Sequence, residues 1–190
     1  MSLSYPLRPL RTPLIVSTII FIVFLILGYL NSDVFSLELS MPIREMAESF
    51  ANLDPFFLMV IIIANNAIKL LLVILLGFVF SILPVLFLVG NGLVIGVVIG
   101  DVMKIKGPLF ILVALLPHGW IEIPVFLLVS AIGMRMGHLT YLKLRSTDYQ
   151  LKREIFQGIQ FYLRRLFPLL LIAATIEAYL TPILIEFLVP

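Results

Sequence analysis

The chain has no cysteine, which excludes disulfides and thiolate metal ligands. Charge is scarce as well: Asp, Glu, Lys and Arg make up only 13% of 190 residues, about half the share of a soluble domain. No polar stretch between the apolar runs is long enough for an independent nucleotide-binding or catalytic unit. There is no Gly-x-Ser-x-Gly elbow and no His-Glu-x-x-His pair, and Gly90-Asn91-Gly92 lacks both the Lys-Ser/Thr and the preceding strand of a phosphate loop. An enzyme is not predicted. Nucleic acid is not a predicted partner either, because the longest basic stretch lies between apolar runs, where membrane topology accounts for it.

What is present is hydrophobic: 62% of the residues are apolar, and mean hydropathy is +1.17. The length accommodates about five spans of roughly 20 residues. The expected fold is an all-α, polytopic helical membrane bundle, a single membrane domain with spans near 13–30, 56–80, 85–100, 108–137 and 167–187 and membrane lipid as its surroundings. Arg8 and Arg11 before the first run resemble the start of a signal peptide. That run is long, however, and no small-x-small site follows Gly28-Tyr29-Leu30-Asn31, so a retained first span is expected.

Charge sets the expected orientation. Residues 31–54 carry Asp33, Glu38, Glu45, Glu48 and Asp54 against Arg44, a net −4. Residues 138–165 carry Lys143, Arg145, Lys152, Arg153, Arg164 and Arg165 against Asp148 and Glu154, a net +4. The excess of Lys and Arg assigns the latter segment and the amino terminus to the cytoplasm of a multi-pass cell-membrane protein, with the carboxyl terminus outside. A short surface helix over 42–50 is expected to cap the bundle, and an amphipathic basic segment near 149–163 is expected at the membrane surface.

Several small and imino residues carry packing expectations. Gly92, Gly96 and Gly100 recur every four residues beside Asn91, leaving bare patches on one helical face where another backbone can approach. Packing within the chain is the preferred use; self-association through this face or through Gly133 and Gly137 is the alternative. In the 108–137 run, Pro117, Gly119 and Pro124 predict a kink or break near residue 117. Thr181-Pro182 interrupts the last run in the same manner.

The most expensive residues are Lys69, Glu122 and Glu177, each near the middle of an apolar run, where a charge must pair, face the interior or line a polar cavity. Asn65 and Asn66 precede Lys69 by four and three residues, and His118 precedes Glu122 by one turn. These six residues are expected to form a midplane polar cluster in which Lys69 pairs with Glu122 or Glu177. One Lys and two carboxylates leave a formal −1, to be met by a proton, a charged His118, a cation or a donor such as Arg135. Internal polar pairing that only specifies helix packing is one reading; ion, proton or solute handling is the other. His118, Glu122 and Glu177 also amount to three potential metal ligands. With no Cys and no second His nearby that signal is weak, and no metal or cofactor is predicted.

Four stretches, Ile63-Ala64-Asn65-Asn66, Gly90 to Gly96, Leu116 to Pro124 with its Pro-His-Gly and Glu-x-Pro, and Glu177-Ala178-Tyr179-Leu180-Thr181-Pro182, together resemble the stage II sporulation protein M family of integral membrane proteins. The similarity covers about residues 55–184. It implies a multi-span scaffold or assembly factor, since the namesake is a membrane component of a complex that carries peptidoglycan-degrading enzymes in sporulating bacteria. Cell-envelope protein partners follow from that resemblance, and hydrolase chemistry does not. By position the family's polar residues would be Asn65, Asn66, Asn91, His118, Glu122, Glu177 and Thr181; Lys69 is not tied to the family pattern. A small-solute, ion or proton transporter using the polar cluster is the alternative.

Overall fold

A computed structural model describes residues 8–35, 53–145 and 150–188, and every regular element among them is helical. The predicted surface helix at 42–50 lies outside the described residues. A 3₁₀ turn, Arg8–Leu10, leads into α1, Arg11–Leu30, and the four-residue α2, Ser32–Phe35. Asp54 then starts α3, Pro55–Leu76: its carboxylate accepts from Phe56 N at 2.8 Å, and Pro55 takes the first helical position, where a missing N–H costs nothing.

The turn after α3 is tight. Phe80 and Ser81 adopt φ of 47° and 63°, a left-handed conformation that costs a non-glycine residue about 1 kcal/mol or more. Ser81 donates two of the bonds that hold it, from its N to Gly77 O and from its Oγ to Met134 O, both at 3.0 Å.

Helical geometry next runs through Ile82–Leu144, α4, interrupted only at Gly107 (φ 78°, ψ 174°). Unbroken, 63 residues would make a rod of about 95 Å. Instead Phe87 and Phe126, nearly equidistant from Gly107, stack edge to face with centroids 5.7 Å apart. The helix is therefore folded back on itself as a hairpin, and its two arms, 82–106 and 108–144, make two of five passes through the bundle. The break beside a proline falls at Gly107-Pro108. At Pro117 and Pro124 the backbone keeps helical dihedrals, so the helix is not broken near residue 117.

The glycine stripe of the first arm is covered by α1. A Cβ on Gly92 would lie 2.8 Å from Phe21 O, and Cβ atoms on Gly96 and Gly100 would come closer still, to Leu25 O and to the Ser32 side chain. On the second arm, a Cβ on Gly133 would reach Val73 O at 2.6 Å. Both glycine faces proposed for self-association are thus used inside the chain, as close packing in lipid requires.

The last helical stretch comprises α5, Leu151–Phe161, a π turn Tyr162–Leu166, α6, Phe167–Thr175, a second π turn Ile176–Leu180, and α7, Thr181–Leu188. Each π turn ends two residues before a proline, Pro168 or Pro182. Proline withholds one helix hydrogen bond and pushes against the carbonyl four residues back, and a wider turn absorbs both effects. The amphipathic α5 turns Leu151, Ile155 and Ile159 onto the core. Its Glu154 pairs with Arg135 of the second arm, Nη2 to Oε2 at 3.2 Å.

One end of the bundle gathers Pro9, Thr12, Ser81, Arg135 and His138 around a cavity of about 650 Å³. At the other end Lys104 Nζ donates to Ser32 Oγ at 2.9 Å and Asp33 Oδ1 at 2.6 Å. Much of the lateral surface is apolar, including Ile19, Ile22, Leu112, Leu116 and Phe187, as a helical surface in hydrocarbon demands.

Candidate polar site inside the bundle

Three of the predicted polar residues converge. On the second arm His118 and Glu122 lie one turn apart, and Glu177 approaches from the second π turn. One ligand atom from each lies within 4.8 Å of the other two. Asn66 of α3 joins them, its Nδ2 donating to Glu122 Oε1 at 2.9 Å. Asn66 is at the centre of α3, so the bond sets Glu122 at the middle of that helix. Glu122 is only 9% exposed, and His118 and Glu177 are partly buried.

The local backbone explains the convergence. On α3, Asn66 shares the inward face with Leu70 and Val73, both sealed in the core. Pro182 accounts for the π turn that carries Glu177, and Thr181, 7% exposed, closes that turn by donating its hydroxyl to Ile176 O at 3.2 Å. Gly119 is buried beside His118, but a Cβ there would meet nothing nearer than 3.8 Å, so it is not a close-packing glycine.

Lys69 does not join the cluster. It is exposed, and among the described residues neither Glu122 nor Glu177 makes an ion pair. The central ion pair is corrected on geometric grounds. Lys69 lies one turn after Asn65, and both occupy the outer face of α3, whereas Asn66 and Leu70 face in. Arg135, the other candidate donor, is engaged by Glu154. Asn91 donates to Phe87 O, four residues back, at 2.8 Å and takes no part in the site.

Two features have weak sequence signals. Asp101 is 7% exposed, with Oδ2 buried and without a hydrogen-bond partner. Its place at the end of the glycine stripe is the only hint of that burial. Tyr162, 1% exposed, donates to Ala67 O at 3.0 Å, which ties its turn to the middle of α3 and leaves the exposed Arg164 and Arg165, two and three residues on, near the depth of Lys69. Sequence placed these arginines in a loop.

The family model for stage II sporulation protein M matches residues 17–182. Comparisons with curated proteins and with solved structures give no match. The matched range includes α1, α3, both arms of α4 and the last stretch through Pro182, so every residue of the polar site falls inside it. This chain belongs to the stage II sporulation protein M family, and its long apolar helices make it a multi-span membrane protein.

Proposed function

We propose that the protein is a membrane scaffold or assembly factor that holds cell-envelope proteins through the outer face of α3. The observation that carries this reading is the exposure of Lys69 near the middle of α3, with Arg164 and Arg165 exposed at similar depth. A cation facing hydrocarbon is costly, and an acidic group on a partner's membrane segment offsets that cost by charge complementarity. The family's implied role in organising envelope enzymes supports the same reading. Purification of the native protein in mild detergent tests it. A membrane partner that co-purifies with the wild type and is lost in Lys69→Met together with Arg164→Gln supports the scaffold; unchanged recovery of partners rejects this face.

A second reading, transport of a small solute, an ion or protons, is favoured by the meeting of His118, Glu122 and Glu177 inside the bundle. Flux in liposomes of the purified protein, abolished by Glu122→Gln, would establish it in place of the scaffold. Orientation follows from charge in either case. Arg8, Arg11, Lys143, Arg145, Lys152 and Arg153 favour the cytoplasm for the end near the 77–81 turn, and this puts the carboxyl terminus outside.

A further inference from the structure

We infer that His118, Glu122 and Glu177 form a binding site for one first-row divalent metal ion, with Asn66 as the residue that positions Glu122. Four observations converge on this. The three side chains come from two separate helical stretches and bring a ligand atom each within 4.8 Å of one another. His118 Nδ1 is buried and has no hydrogen-bond partner, so an imidazole nitrogen is left to coordinate. Among the described residues the two carboxylates have no ion-pair partner, because Lys69 faces outward and Arg135 is held by Glu154. Asn66 occupies Oε1 of Glu122, which orients the carboxylate and leaves Oε2 to bind.

Charge supplies the driving force. Two ionised carboxylates this close inside an apolar bundle repel each other and lack hydration, and a divalent cation between them makes the site neutral. The donor set selects the ion. One imidazole nitrogen and two carboxylate oxygens suit Mn²⁺, Fe²⁺, Co²⁺ or Zn²⁺ better than Mg²⁺ or Ca²⁺, which prefer oxygen alone, and the absence of Cys disfavours Cu⁺. Metal–ligand bonds of about 2.1 Å require donor atoms roughly 3–4 Å apart, so the three side chains close by about 1 Å on binding. Flexible Glu side chains, one of them on a π turn, allow that movement. The bound ion would fasten the second arm of α4 to the last helical stretch.

The test uses full-length, tag-free protein in detergent, stripped with chelator and titrated with Co²⁺, whose visible absorption reports nitrogen–oxygen ligation. The expected result is one Co²⁺ per chain, displaced by Zn²⁺ and not by Mg²⁺. Asn66→Ala weakens binding by about 10–100-fold, the usual effect of removing a group that orients a ligand. His118→Gln and Glu177→Gln abolish it, while His138→Gln and Lys69→Met leave it unchanged; the Lys69 result separates this site from the scaffold reading. Wild-type protein that takes up no Co²⁺ overturns the inference and assigns neutralisation of the carboxylates to protons. Stoichiometric binding that survives His118→Gln overturns it equally. Because the wild-type titration is decisive alone, a variant that fails to fold does not shield the proposal.

Discussion

Asn66 Nδ2 donates to Glu122 Oε1 at 2.9 Å, a bond between α3 and the second arm of α4 that joins residues 56 positions apart. It fixes the register of two parallel helices and is the polar counterpart of the glycine contact between Gly77 and Gly133 further along the same pair. In metal-free protein, Asn66→Leu is expected to lower stability by about 1 kcal/mol, between the average for a membrane hydrogen bond and the value for one to a charged group. Combining it with Glu122→Leu should recover part of the loss. Unfolding of the single and double variants in bicelles measures the coupling, and strictly additive losses would contradict the bond.

Lys69→Met is expected to change the stability of the isolated protein by no more than about 0.5 kcal/mol, the range for an exposed position. Breaking a buried ion pair would instead cost about 3–5 kcal/mol. Thermal unfolding in detergent of Lys69→Met, with and without Glu177→Gln, separates the two by magnitude alone.

The glycines of the two interfaces differ from Gly119 in a measurable way. Leu at Gly96 or Gly133 must displace backbone of a neighbouring helix, so a loss of about 1–3 kcal/mol or more is expected. Gly119→Ala meets only ordinary van der Waals distances, and Ala is the better helix former, so it should be neutral or mildly stabilising. Monodispersity and melting temperature of the three variants decide the comparison.

Gly107 is a conformational requirement. Nothing lies within 4 Å of a Cβ built there, yet φ 78° with ψ 174° is a region that only glycine enters readily. Gly107→Ala is expected to cost about 1–3 kcal/mol by opening the hairpin. The Phe87–Phe126 contact provides a local readout: Cys at these two positions should cross-link in the parent and do so less in the Ala variant.

Val34 and Leu144 are about 70% exposed and lie toward opposite ends of the bundle. Val34→Cys and Leu144→Cys should react with an impermeant thiol reagent from opposite sides of the membrane, Val34 from outside. Labelling from one side would end the five-pass arrangement.

The sequence by itself determined the helical membrane class, the apolar runs and the placing of His118 and Glu122 on one helical face. Helical spacing places residues on a common face of their own helix without reference to anything else. It also marked the glycine stripe as a close-packing surface, because a missing Cβ has the same meaning wherever the partner comes from. Which way α3 faces was decided by tertiary structure. That helix is apolar almost all round, so inward and outward faces carry the same hydrophobic signal in lipid, and periodicity cannot tell Asn66 from Asn65 or Lys69. Packing of Leu70 and Val73 into the core made the choice, turning Asn66 to Glu122 and Lys69 outward. The depth of Glu177 followed from its place near the middle of the last run, but the side to which it faces was a tertiary matter. Pro182 announced an irregularity, but only the packed π turn settled where its carboxylate came to rest, beside His118 and Glu122, because a wider turn rotates every residue it contains.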